Sequence, residues 1–170
     1  MDFADRNGIE LVREFDNVIL LRSLSKGYSL AGLRFGYAIA HADLIAGLVK
    51  VKDSYNVDAV AIALATAAIR DQAYFKTNVA KVRADRAILT EGLKSLGFEV
   101  LDSSTNFVLA TVGAKRFSPL RVGQIYEELA RRDIYVRYFD VPGLDDKLRI
   151  SVGTKQQNEK LLAALKEILG

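Results

Sequence analysis

The sequence contains no cysteine and a single histidine, His41, in 170 residues. The first absence excludes a disulfide framework and thiolate metal sites. The second leaves any zinc or iron centre to be built largely from carboxylates, so no metal site is expected. No run of 18 apolar residues occurs, so no membrane-spanning helix is expected. The opening Met1-Asp2-Phe3-Ala4-Asp5-Arg6 lacks the basic-then-apolar order of a secretion signal. A soluble, cytoplasmic protein is the expectation.

What is present is a foldable chain: 50% of residues are apolar and 26% charged, with a net charge of +3. That balance lies outside the low-hydrophobicity, high-charge regime of disorder. The pI near 9.1 raises the question of nucleic acid, since basic stripes attract phosphate backbones. Here lysines and arginines are interleaved with acids, as in Lys81-Val82-Arg83-Ala84-Asp85-Arg86, which reads as a solvated helix face. No nucleic-acid partner is expected.

The alternation of apolar periods predicts a mixed α/β chain. Expected in order are a helix from Ile9 to Phe15, a buried strand from Val18 to Arg22, a strand from Phe35 to Ala40 and a helix from His41 to about Lys52. The next helix, Val60 to Ile69, is alanine-rich on every side and is expected to be buried between other elements. A long charged helix from about Asp71 to Leu96 follows, with Gly97 suited to its C′ position. Then come strands Phe98–Leu101 and Asn106–Thr111, a helix opening at Ser118-Pro119, strand Ile134–Tyr138, a Pro142-Gly143 turn and strand Lys147–Val152. The last helix opens on Thr154-Lys155-Gln156-Gln157, a capping-box pattern, and runs to Leu169. A domain boundary is expected near Asp71, with 1–70 and 71–170 on either side.

Chemistry concentrates between Ser23 and Tyr37, in Ser23-Leu24-Ser25-Lys26-Gly27-Tyr28-Ser29-Leu30-Ala31-Gly32-Leu33-Arg34-Phe35-Gly36-Tyr37. The segment follows a strand, and the carboxyl ends of strands are where open α/β sheets bind ligands. Two hydroxyls, an amine and a guanidinium share one short bend. No Gly-x-x-x-x-Gly-Lys-Ser/Thr string exists, which excludes a phosphate loop of that type.

This pattern resembles the cofactor-lysine motif of fold-type I pyridoxal-phosphate aminotransferases. The run Leu24-Ser25-Lys26, Leu30-Ala31-Gly32-Leu33-Arg34 and Gly36 looks closest to the histidinol-phosphate aminotransferases. Ser104-Thr105-Asn106-Phe107, Val136-Arg137 and Leu148-Arg149-Ile150-Ser151-Val152-Gly153-Thr154 are similar in order and spacing, so the resemblance covers the whole chain. Ser54, before Tyr55-Asn56, departs from a proline often found there in the family. A complete member is about twice as long, so the resemblance implies that 1–70 is the C-terminal strip of a large cofactor domain and 71–170 a small α+β domain. The aspartate that faces the cofactor ring and the aromatic that stacks on it are expected outside these residues, so cofactor binding by this chain alone is expected to be weak or absent.

The resemblance also implies roles. Lys26 would join the cofactor aldehyde and then move a proton as base and acid, which requires a deprotonated amine favoured by partial burial beside a cation. Ser23, Ser25 and Arg34 would bind the cofactor phosphate, the guanidinium fork matching phosphate geometry. Arg149 would take the substrate carboxylate, and Arg137 and Asn106 would contact substrate. His41 is expected only to start a helix. The implied reaction is amino transfer from histidinol phosphate to 2-oxoglutarate in histidine biosynthesis, with a small-molecule amino donor and a 2-oxo acid as partners and a homodimer as the assembly. The alternatives are an aromatic aminotransferase, a phosphothreonine-type decarboxylase, or an inactive assembly or binding fragment whose exposed apolar edges self-associate.

Overall fold

The computed structural model describes residues 2–112 and 119–170. They form two compact units, Met1–Ala80 and Lys81–Gly170. Ser118, the expected cap of the fifth helix, lies outside the described residues.

The first unit contains helix α1 (Ile9–Glu14), strands β1 (Ile19–Ser23) and β2 (Gly36–Ala40), helices α2 (Ala42–Val51) and α3 (Ala59–Arg70), and the start of helix α4 (Gln72–Ser95). β1 and β2 pair antiparallel, from Ile19 opposite Ala40 to Ser23 opposite Gly36. His41 caps α2: its Nδ1 accepts the Asp43 N–H at 3.4 Å, satisfying one of the donors a helix start leaves open. Asp58 does the same for α3, accepting from Ala61 N–H at 2.8 Å.

Two expectations fail here. Among the described residues the strand expected to be buried has one neighbour, β2, and Leu21 on it is 76% exposed. The alanine-rich α3 buries only Ala61 and Ala65, one stripe at i, i+4 spacing, while Val60, Ile62 and Leu64 are exposed. Composition reported apolar faces correctly, but within this unit only one face of α3 finds something to cover it.

The second unit is a four-stranded antiparallel sheet, in the order β3 (Phe98–Val100), β4 (Phe107–Val112), β6 (Lys147–Ser151), β5 (Arg137–Tyr138), with helices α5 (Pro119–Arg131) and α6 (Lys155–Leu169) and the rest of α4. Alternate residues of β4 and β6 point inward. Val108 opposite Ile150 and Ala110 opposite Leu148 are buried as cross-strand pairs, where the pleat brings side chains into contact. Leu89 and Leu93 of α4, Ile125 and Leu129 of α5 and Leu165 of α6 close the core.

The helix ends follow their sequence signals. Gly97 takes the left-handed φ of 91° that ends α4. The Thr154–Gln157 capping box forms in both directions, at 2.9 and 3.4 Å. Pro142-Gly143 turns through the Leu144 N–H to Val141 C=O bond of 3.0 Å, with Gly143 at φ 84°.

The strand expected from Ile134 is shorter, because α5 claims its first residues. Asp133 adopts φ 57° and donates its N–H to Ala130 C=O at 3.1 Å, while Ile134 N–H reaches Leu129 C=O at 2.9 Å. This is a Schellman ending with aspartate where glycine is usual. Only Arg137 and Tyr138 remain to pair with β6.

Leu129→Ala should lower the unfolding free energy by about 2–5 kcal/mol, as for other fully buried leucines. Thr154→Ala should cost about 1 kcal/mol through the lost cap. Urea titration followed by circular dichroism checks both.

Candidate functional site

In the first unit, residues 24–35 connect β1 to β2, and pairing of the two strands closes this connection at its base. Leu24 N–H donates to Phe35 C=O at 3.3 Å and Leu30 N–H to Leu24 C=O at 3.1 Å, so the segment folds back on its own first residue. The Leu24 side chain is 1% exposed and pegs the loop to the unit. Inside this frame Lys26 heads a tight turn, its C=O accepting Ser29 N–H at 3.0 Å, with Ser29 in the left-handed region at φ 57°.

Ser23 and Ser25 are brought together: Ser23 Oγ lies 2.9 Å from Ser25 Oγ and accepts the Ser25 N–H at 3.1 Å. Lys26 itself is exposed, where partial burial was expected, because the turn projects it from the strand end. Arg34 ends a 3-10 turn, Ala31–Leu33, in the left-handed conformation (φ 55°, ψ 36°), and its Nη1 donates to Ala31 C=O at 3.0 Å. One N–H of the guanidinium fork is thus spent on holding its own turn, and the others remain for a ligand. A non-glycine residue in that region costs roughly 1–2 kcal/mol. Gly36 follows because nothing larger fits: a Cβ there would stand 2.8 Å from Arg22 C=O.

In the second unit, Arg149 lies on the central strand β6 between the buried Leu148 and Ile150, so its side chain leaves by the opposite face, as alternation predicts. There its guanidinium sits 4.0 Å above the Phe107 ring, a cation–π contact. Arg137 is its direct cross-strand partner on β5 and lies 5.0 Å from the Phe139 ring. Like charges directly opposite one another destabilise a sheet, and each guanidinium here lies over an aromatic ring. Asn106 precedes β4, its C=O accepting Val152 N–H at 2.9 Å.

Sequence reasoning missed the supports. Arg86 Nη1 donates to Thr105 C=O, and Ser103 and Thr105 hydroxyls both reach Phe107 C=O, together fixing the turn before β4. At the lysine turn Asp2 accepts the Gly27 N–H, Arg22 lies against Asp2, and Phe75 stacks on Tyr28. Arg86 and Asp2 carried no local signal, since their partners Thr105 and Gly27 lie 19 and 25 residues away. Among the described residues no cluster of three or more His, Asp or Glu side chains could hold a metal, and no helix is long and apolar enough to cross a membrane.

Residues 1–165 match the family model for aminotransferase class I and II, and the chain belongs to that family. Histidinol-phosphate aminotransferase 1 of Trichormus variabilis is 52% identical over 99% of this chain and 47% of its own length. A putative histidinol-phosphate aminotransferase of Erwinia carotovora atroseptica aligns with TM-score 0.84 at 27% identity, over 98% of this chain and 47% of that one. The Sinorhizobium meliloti histidinol-phosphate aminotransferase, solved with pyridoxal-5'-phosphate, aligns with TM-score 0.80 at 30% identity, over 91% and 41%. The chain thus spans about half the length of the curated relatives it matches.

Gly36→Ala should lower the unfolding free energy by about 1–3 kcal/mol through overpacking. Arg34→Gly should change it by less than about 1 kcal/mol, because relief of left-handed strain offsets the greater freedom of glycine in the unfolded chain. Denaturant titration of the two variants beside the parent chain checks the contrast.

Proposed function

We propose that this chain is the lysine-bearing part of a pyridoxal-phosphate aminotransferase acting on histidinol phosphate and 2-oxoglutarate, in cytoplasmic histidine biosynthesis. The observation that carries the reading is the closed loop 24–35, which joins Ser23, Ser25, Lys26 and Arg34 in one frame. The 52% identity to a histidinol-phosphate aminotransferase supports the substrate. A homodimer is part of the proposal, supported by the apolar residues left exposed on α2 and α3, among them Val51, Val60 and Leu64. We assign residues 1–70 to the strip of a large cofactor domain and 71–170 to a small domain.

The donor set fits a phosphate-bearing aldehyde. Two hydroxyls 2.9 Å apart and a guanidinium fork answer a phosphate, and a lysine three residues from the first serine answers an aldehyde. When bound, pyridoxal phosphate supplies that aldehyde and a ring able to take up the electron pair of a substrate Cα–H bond. Ser23, Ser25 and Arg34 hold the phosphate, which fixes where the aldehyde lies relative to Lys26. With the group bound, Lys26 would be the amine that meets its aldehyde when deprotonated, and once free it would serve as the base for the substrate Cα proton. Arg149 binds the substrate carboxylate as a bidentate fork, and an anion there relieves its repulsion with Arg137. Arg137 and Asn106 complete substrate contact.

Incubation with pyridoxal phosphate followed by borohydride and peptide mapping tests this. The expected result is an adduct concentrated on Lys26 over the other lysines and lost in Lys26→Ala. Labelling spread evenly over lysines would contradict the assignment.

A further inference from the structure

We propose that Asp2 is a positioning residue for Lys26, acting through the peptide that joins Lys26 to Gly27. The inference rests on the reading of Lys26 as the reactive amine and extends it to the group that aims it. A lysine amine sits on a flexible four-carbon stem, so its reach is set by its backbone. That backbone is held on both sides of one peptide: Lys26 C=O accepts Ser29 N–H at 3.0 Å, and Gly27 N–H donates to Asp2 Oδ2 at 3.2 Å. The second bond links residues 25 apart and is accepted by a carboxylate, whose charge favours the contact.

Asp2 is itself held. Its Oδ1 lies 4.0 Å from Arg22 Nη1, at the outer limit of an ion pair, with both side chains about four-fifths withdrawn from solvent. Screening by salt is weaker there than at a surface. Gly27 is required by this arrangement rather than by its dihedral angles. A Cβ at Gly27 would stand 2.6 Å from both Asp2 Oδ2 and Phe75 Cε2, and Phe75 is in turn stacked on Tyr28 at 4.4 Å. Carboxylate and aromatic ring therefore grip the backbone next to Lys26 from contacts only glycine permits.

Amide hydrogen exchange on the 170-residue chain tests the proposal. In Asp2→Ala the Gly27 amide should exchange about tenfold faster, with the paired β1–β2 amides unchanged. Asp2→Asn, which keeps an acceptor, should restore most of the protection. Gly27→Ala should lower the share of borohydride-trapped pyridoxal phosphate carried by Lys26, even with Asp2 present. Unchanged Gly27 exchange in Asp2→Ala would overturn the inference, and so would equal loosening of β1 and β2, which would mark Asp2 as merely structural. Even labelling of lysines in the parent chain would instead refute the reading of Lys26, while Gly27 exchange would still decide the role of Asp2.

Discussion

Pairing of β1 with β2 is the constraint on which the lysine site depends. Twelve residues separate Ser23 from Gly36 in sequence, yet the two are opposite each other across the ladder. Everything between must return within that distance, and the bonds of Leu24 to Phe35 and Leu30 hold it there. Closing a loop of this size costs entropy that grows only slowly with length, and one backbone ladder, two further backbone hydrogen bonds and one buried leucine offset it. The result is that Lys26 and Arg34, eight residues apart, belong to one closed loop.

Strain is stored in that frame. Ser29 and Arg34 both occupy the left-handed region, and neither is glycine. Such conformations persist only where surrounding structure over-determines them, and they gather at ligand clamps. At Arg34 the left-handed turn lets the side chain bond its own 3-10 turn while leaving most of its fork free. The cost falls on stability, and under the proposed reading the gain is a cation already aimed at the phosphate.

Helix periods, the capping box at Thr154, the glycine at 97 and the Pro142-Gly143 turn were legible in the sequence because each is set by residues within one turn of one another. The lysine motif was legible for the same reason. Less legible was the shortening of β5, where Asp133 ended α5 in a conformation that sequence rules reserve for glycine. The exposure of Leu21 and of most of α3 agrees with the expectation of unpartnered apolar edges in residues 1–70, although an apolar face alone declares what it needs and not whether a neighbour supplies it. Asp2 and Arg86 were invisible as supports because their partners, Gly27 and Thr105, lie 25 and 19 residues away.

The most direct test of the account is an NMR titration of the isotopically labelled chain with pyridoxal phosphate, following backbone amides and arginine side chains. The account predicts saturable shifts at Ser23, Ser25, the Lys26 turn and the Arg34 guanidinium, because the phosphate is held by the closed loop. Shifts confined to Arg137 and Arg149, with the loop unmoved, would contradict it.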